Sequence, residues 1–461
     1  MQLKKGQIVE IEIHALAFGG AGIGKYEGVT VFVDKTMPGD RVKAALTRIK
    51  TKFMDADLVE IVTQSPDRIK AKCRYSGICG GCQMQFMPYE KQLEFKKQQV
   101  IDAFERIGKI YAPPVEDVLP SQNQFYYRNK MEFSFGYDGE MNFTLGMHVP
   151  GRRFDIMDLE ECHLESEVSY RIVNEIREFM RPTGWPPFKY SCGEGFLKGV
   201  FIREAKRTKE ILINLRTSDA LPEDFDTVMQ KFVEMLTAVN TGELQIVSIY
   251  WTMDISKRGQ PRKVVEKLIH GKHTLHEEMQ IGEDKLSFDI RPQAFFQVNT
   301  FQAEVLYGEV LKMALSSPQK MVFDLFCGTG TIGLFLAKHV EQVMGIELNE
   351  SAVTVARENA MKNAVFNIDF FLGDVAKVLQ TVKECPSLIV VDPPRAGLTE
   401  KMISKINDFA SSQIIYVSCN PATLARDCQI FAQYGYSVKK IQPVDMFPHT
   451  YHIENVCLLE R

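Results

Sequence analysis

The chain has 461 residues, 45% of them hydrophobic and 25% charged. That is the composition of a folded globular protein with two or three domains, and it excludes a fibrous or disordered class. The formal net charge is −4, so no global basic coat exists and any contact with RNA must come from local basic surface.

The first sixty residues read as short strands parted by turns. Gln7 to Ile13 alternates, Phe18 to Gly24 is glycine-rich and reads as flexible, and Val29 to Val33 is a second strand. Met37-Pro38-Gly39-Asp40 is a turn, and Arg41 to Ala45 and Phe53 to Val62 continue the pattern. Strands at this spacing suggest a small closed barrel over residues 1–63. Arg41, Lys43, Arg48, Lys50 and Lys52 form a stretch without an acid, which serves equally as a solvated face or as a local RNA contact.

Ser65-Pro66 opens a middle region, residues 64–280. It begins with a cysteine-rich segment. Pro88 to Ile107 follows as an amphipathic helix, and Asn129 to Phe135 and Asn142 to Met147 as strands around Asp138-Gly139, a hairpin signal. This region reads as α+β. From residue 281 the rhythm becomes short apolar strands alternating with helices: strand Met321 to Phe326, helix Ile332 to His339, strand Gln342 to Ile346, helix Ser351 to Lys362, then strands Leu388 to Val391 and Ile414 to Val417. That alternation predicts a parallel, doubly wound α/β sheet.

The start of the chain is polar, without the basic-then-apolar pattern of an export signal, and no apolar run reaches spanning length. A cytoplasmic, monomeric protein with no membrane partner is expected. In such a reducing compartment the ten cysteines serve as ligands, nucleophiles or packing residues and not as disulfides.

Asp324 to Gly330 lies where a strand meets a helix, and Glu347 ends the next strand. Glycines there let a ligand approach the backbone, and the acid can accept from ribose hydroxyls. The layout serves a dinucleotide or S-adenosylmethionine, and the glycine spacing is not the dinucleotide fingerprint. Asp392 in Asp392-Pro393-Pro394-Arg395 and Cys419 in Ser418-Cys419-Asn420-Pro421 both follow apolar strands, where ligands and reacting groups collect. A helix beginning after Cys419 would favour its thiolate. Cys327, Cys385, Cys428 and Cys457 read as small packing residues. Glu454, at the start of the last strand, can act as a general base. Cys73-x5-Cys79-x2-Cys82 with the distant Cys162 gives four thiolates, suited to zinc or to an iron–sulfur cluster.

Together, Asp324 to Gly330, Asp392 to Arg395, Ser418 to Pro421 and His449 to Glu454 resemble the RNA uracil-5-methyltransferases, nearest the bacterial ribosomal RNA branch. Phe296-Gln297-Val298-Asn299 and Tyr127-Arg128-Asn129-Lys130 look like further family motifs. The resemblance spans the chain. It implies an RNA-binding TRAM barrel of OB-like form, a central α+β domain with an iron–sulfur cluster and RNA-binding surface, and a Rossmann-like methyltransferase domain over residues 281–461. It implies Cys419 as nucleophile on uracil C6 and Glu454 as the base that clears the C5 proton. Gln297, Phe326, Glu347 and Asp392 match positions that bind S-adenosylmethionine. Cys73, Cys79, Cys82 and Cys162 match those that hold a 4Fe–4S cluster, with zinc the weaker alternative. The implied substrate is a uridine of 23S ribosomal RNA ahead of transfer RNA, taken out of its stack to reach Cys419. The rival classes are a methyltransferase acting on an exocyclic amine and a non-catalytic RNA-binding assembly factor.

Overall fold

Alternating apolar and polar residues wind the N-terminal segment into a barrel. In the computed structural model, which describes residues 3–255 and 263–461, strands β1 (Ile8–Leu16), β2 (Gly22–Tyr26), β3 (Val29–Val33), β4 (Arg41–Ile49) and β5 (Phe53–Thr63) close in the order β1-β2-β3-β5-β4. Ile11, Val31, Val42, Leu46 and Met54 are fully buried inside it, and their neighbours in sequence face outward as the two-residue period requires. The stretch expected to be flexible is strand from Gly22 onward. A Cβ on Gly22 would lie 2.0 Å from Thr36 Oγ1 and one on Gly24 2.2 Å from Ile11 Cγ2. These glycines allow close packing and are not hinges.

Helix α1 (Tyr89–Arg106) follows, then β6 (Lys130–Tyr137), β7 (Phe143–Val149), β8 (Arg152–Asp158), α2 (Glu167–Met180), β9 (Leu197–Glu204), β10 (Glu210–Thr217), α3 (Phe225–Ala238), β11 (Gln245–Ile255) and β12 (Lys263–Gly271). Next come β13 (Leu275–Ile281), β14 (Asp284–Ile290) and α4 (Thr300–Ala314). The last third runs β15 (Met321–Leu325), α5 (Thr331–Ala337), β16 (Gln342–Glu347), α6 (Glu350–Lys362), β17 (Ile368–Leu372), α7 (Val375–Val378), β18 (Leu388–Val391), α8 (Glu400–Asn407), β19 (Gln413–Ser418), α9 (Pro421–Gln433), β20 (Ser437–Val444) and β21 (Glu454–Glu460).

The chain forms two compact units. The first is Met1–Ser121, Pro394–Glu400 and Tyr416–Arg461; the second is Gln122–Pro393 and Lys401–Ile415. The first unit holds the barrel, α1, α9 and the antiparallel pair β20–β21. The second holds a seven-stranded sheet in the order β12-β11-β10-β9-β6-β7-β8, the β13–β14 hairpin, and the parallel run β17-β16-β15-β18. In that run Val322, Leu325, Val343, Ile346 and Val391 are fully buried, as expected of parallel strands covered on both faces. This is the parallel α/β arrangement that the alternation of apolar strands and helices predicts. The Asp138-Gly139 hairpin closes through a longer loop than the dipeptide suggests. Asp138 Oδ1 accepts from the N–H of Glu140 and of Asn142, each at 2.9 Å, and Met141 takes the left-handed turn position. Among the described residues no helix is long and apolar enough to cross a membrane.

Candidate active site

The second unit gathers three carboxylates at the ends of its parallel strands. Asp324 is the one acid in the apolar strand β15 and is fully buried. Its Oδ2 accepts from Gly333 N–H of α5 at 2.9 Å, and its Oδ1 has no hydrogen-bond partner. Burial, with Asp392 and Glu347 adding repulsion, pushes the Asp324 carboxyl up to about 7. Desolvation pushes Asp392, just past β18, up to about 7 as well. Acids held part-protonated by crowding are ready to ionise against a cation. Glu347, which ends β16, accepts from Gly328 N–H at 3.1 Å and Asn349 N–H at 2.8 Å.

Backbone geometry keeps the turn after β15 open. Phe326 sits at φ 64°, Gly328 at 55° and Gly330 at 79°. The N–H groups of Phe326 and Cys327 donate to Ile346 O at 2.9 and 3.1 Å, which ties the turn to β16. A Cβ on Gly328 would meet nothing within 4 Å, so that side of the turn is open space. A Cβ on Gly330 would lie 2.7 Å from the Phe370 ring, so that glycine serves packing. The Cys327 thiol is pushed up by burial and by the two acids and stays protonated, as a packing residue should. Cys385 departs from that expectation: it is exposed, whereas Cys428 and Cys457 are buried. It lies in the connection leading into β18, where no core reaches it.

Gln297 is positioned by the upstream motif. Asn129 Nδ2 donates to Gln297 O at 2.8 Å and to Thr300 Oγ1 at 2.9 Å, and Asn129 N–H donates to Val298 O at 2.7 Å. Two segments 168 residues apart are thereby clamped, with Asn299 capping α4.

The first unit holds Cys419 and Glu454. Cys419 lies between the last residue of β19 and Asn420, the N-cap of α9, whose Oδ1 accepts from Ala422 N–H at 3.1 Å. Asn420 Nδ2 donates to Arg395 O at 3.2 Å, which fixes the turn against the segment after Asp392. Glu454 starts β21 and is buried. The next residue, Asn455, donates from Nδ2 to Ser418 O at 3.3 Å. The residue before the cysteine and the residue after the acid are thus bonded directly. Sequence reading did not single out this asparagine, the full burial of the Asp324 carboxyl, or the Arg395 Nη2 contact with His452 Nδ1 at 3.0 Å. An acid inside an apolar strand was the available signal for Asp324; Arg395 and His452 each lie in a segment singled out in sequence, but nothing there pairs them, and nothing marked Asn455.

Cys73, Cys79 and Cys82 share one loop of the first unit, and Cys162 lies in the second. The loop turns tightly, with Ser76 N–H donating to Cys73 O and Cys79 N–H to Tyr75 O. Gly81 N–H points at Cys79 Sγ, 3.3 Å away, a contact that favours a thiolate ligand. Among the described residues no group of three or more His, Cys, Asp or Glu side chains is set to hold a metal ion.

Residues 240–461 match the family profile described as tRNA (uracil-5-)-methyltransferase, and residues 2–59 match the TRAM domain. A protein of Clostridium tetani described as an uncharacterised RNA methyltransferase is 37% identical over 466 residues, covering 100% of this chain and 99% of its own. A Clostridium acetobutylicum protein of the same description is 38% identical over 463 residues, covering 100% and 99%. Among solved structures, the Pyrococcus abyssi tRNA (uracil-54, C5)-methyltransferase in complex with S-adenosyl-L-homocysteine superposes with a TM-score of 0.76 at 28% identity, covering 98% of this chain and 100% of that one.

Proposed function

The chain belongs to the S-adenosylmethionine-dependent RNA uracil-5-methyltransferase family, and from that premise we propose that it methylates carbon 5 of a uridine through a covalent adduct on Cys419. The observation that carries the proposal is the Asn455–Ser418 bond, which supports nucleophile and base acting as neighbours.

Uracil C5 is too weak a nucleophile to take a methyl group unaided. The Cys419 thiolate adds to C6, and C5 becomes enolate-like. S-adenosylmethionine supplies the methyl through its sulfonium and leaves as S-adenosylhomocysteine. C5 then carries both methyl and hydrogen. Glu454 takes that proton, the C5–C6 double bond reforms, and the Cys419 thiolate leaves C6. We assign Gln297, Phe326, Glu347 and Asp392 to the cofactor. Glu347 suits ribose hydroxyls, and the acids around Asp324 suit a cationic ligand.

We assign 23S ribosomal RNA as the substrate, on the barrel and thiol set that the ribosomal branch shares. The full-length likeness to a transfer RNA enzyme favours transfer RNA as the second reading. Four cysteines, Cys73, Cys79, Cys82 and Cys162, suit a 4Fe–4S cluster by donor chemistry and by the N–H aimed at Cys79 Sγ; its part is to hold the fold and not to move electrons.

The test is labelled S-adenosylmethionine with unmodified ribosomal RNA and, separately, transfer RNA, followed by digestion to nucleosides. Labelled 5-methyluridine in ribosomal RNA is expected. Label in transfer RNA alone would overturn the substrate and keep the chemistry. Cys419→Ala is expected to abolish transfer; retained activity would favour methylation of an exocyclic amine, and no label in any RNA would favour a binding factor.

A further inference from the structure

Residues 445–453 form no helix or strand, yet they lead directly into Glu454. Their shape is set by side chains from elsewhere in the first unit. Lys96 of α1 is fully buried and donates to Asp445 Oδ1 at 2.6 Å and to Phe447 O at 3.1 Å. Tyr89 OH donates to Asp445 Oδ2 at 2.8 Å, and Phe447 N–H to Asp445 Oδ1 at 3.1 Å. One turn away, Gln92 is also fully buried. Its Oε1 accepts from His449 N–H at 2.9 Å, and its Nε2 faces His449 Nδ1 at 3.2 Å, Met87 O at 2.9 Å and Met84 O at 3.1 Å.

Two more elements grip the same segment. Gln83 and Met84, just past Cys82, donate their N–H groups to His449 O at 2.9 and 3.0 Å. His449 adopts φ 67°, a left-handed conformation that costs a non-glycine residue energy and persists only when its surroundings hold it. Tyr451 packs against Met37, Met84 and Met87, with its ring 5.9 Å from that of Phe18 in the barrel's first loop.

Apolar residues of similar volume would stabilise this interior as well as a buried ion pair does. What buried polar groups add is a defined geometry, because each must find its partner. The geometry defined here is that of the segment ending at Glu454. We propose that Gln92 and Lys96 are positioning residues for Glu454, acting through residues 445–452; this rests on Glu454 being the base assigned above. They touch neither substrate nor cofactor.

A misplaced base leaves the first steps intact and slows the last. Gln92→Met keeps helix propensity and volume while removing the contacts to His449. Incubated with RNA substrate and labelled S-adenosylmethionine, this variant is expected to accumulate a denaturation-stable protein–RNA adduct carrying labelled methyl. Its kcat should fall about 10- to 100-fold with KM for RNA unchanged. Glu454→Gln, run in parallel, should accumulate the same adduct. If Gln92→Met does not fold, His449→Asn replaces it, since asparagine tolerates the left-handed backbone and keeps the carbonyl bonds to Gln83 and Met84. Adduct with Glu454→Gln alone, while the α1 or His449 variant turns over normally or loses adduct and turnover together, overturns the inference and keeps the base. Absence of adduct with Glu454→Gln overturns both.

Discussion

Asp324 places a carboxylate where water cannot reach it, and Asp392 adds a second acid to the same neighbourhood. Both hold their protons up to about pH 7 in the ligand-free site, whereas in the unfolded chain they ionise near 4. The folded state therefore binds protons that the unfolded state has lost, and this contribution to stability is complete below about pH 4 and fades as pH rises through 7. A cationic ligand reverses the preference, since it favours the ionised acids. The ligand-free melting temperature is expected to fall from about pH 5 to about pH 8 while affinity for S-adenosylmethionine rises, and Asp324→Asn should flatten both curves. An affinity that ignores pH over this range would remove the acids from the cofactor site. Position was legible in sequence at strand ends: Glu347 closes β16 and Asp392 follows β18, where the apolar runs before them place them. Asn455 was not legible, because its bond to Ser418 O depends on a partner 37 residues away.

The loop from Cys73 to Gln85 contains no helix or strand and buries only one apolar side chain, Met84; it is held by turns and by Cys73 N–H donating to Gln85 Oε1 at 3.0 Å. Such a loop needs a staple. If the proposed cluster is that staple, Cys79→Ser removes both a thiolate and the acceptor for Gly81 N–H, and the purified variant is expected to lack the brown colour and iron of the wild type and to lose much of its solubility. A colourless wild type containing zinc would replace the cluster by a structural zinc site, and a variant with unchanged spectrum and solubility would remove the metal altogether. Elements were more readable than this loop. The strand over residues 388–391 appears at its expected bounds, and the helix expected from Pro88 to Ile107 forms as Tyr89–Arg106, because period and flanking prolines fix both. The glycine-rich stretch after β1 misled, since glycine signals mobility and close packing with the same letter.

At the scale of the molecule, the barrel and the parallel sheet follow from local pattern, but the composition of the units does not. The first unit recruits Pro394–Glu400 and Tyr416–Arg461 from far along the chain, and such recruitment leaves no periodic trace. The cofactor-assigned residues fall in the second unit, and Cys419 and Glu454 in the first. Lys96 meets Asp445 across 349 residues of sequence. A ribosome adding about 5–20 residues per second leaves Lys96 without that partner for roughly 20–70 s. The barrel, whose strands pair only with one another, can close early; α1 cannot bury its ammonium until the distant acid has been made. A chain stopped after residue 415 is thus expected, on limited proteolysis, to protect the barrel and lose residues 64–121, and equal protection of both would contradict this order. Under the mechanism proposed above, Cys419 and Glu454 are made in the same late stretch that completes α1's burial, so until that stretch is translated a nascent chain holds neither the proposed nucleophile nor the proposed base.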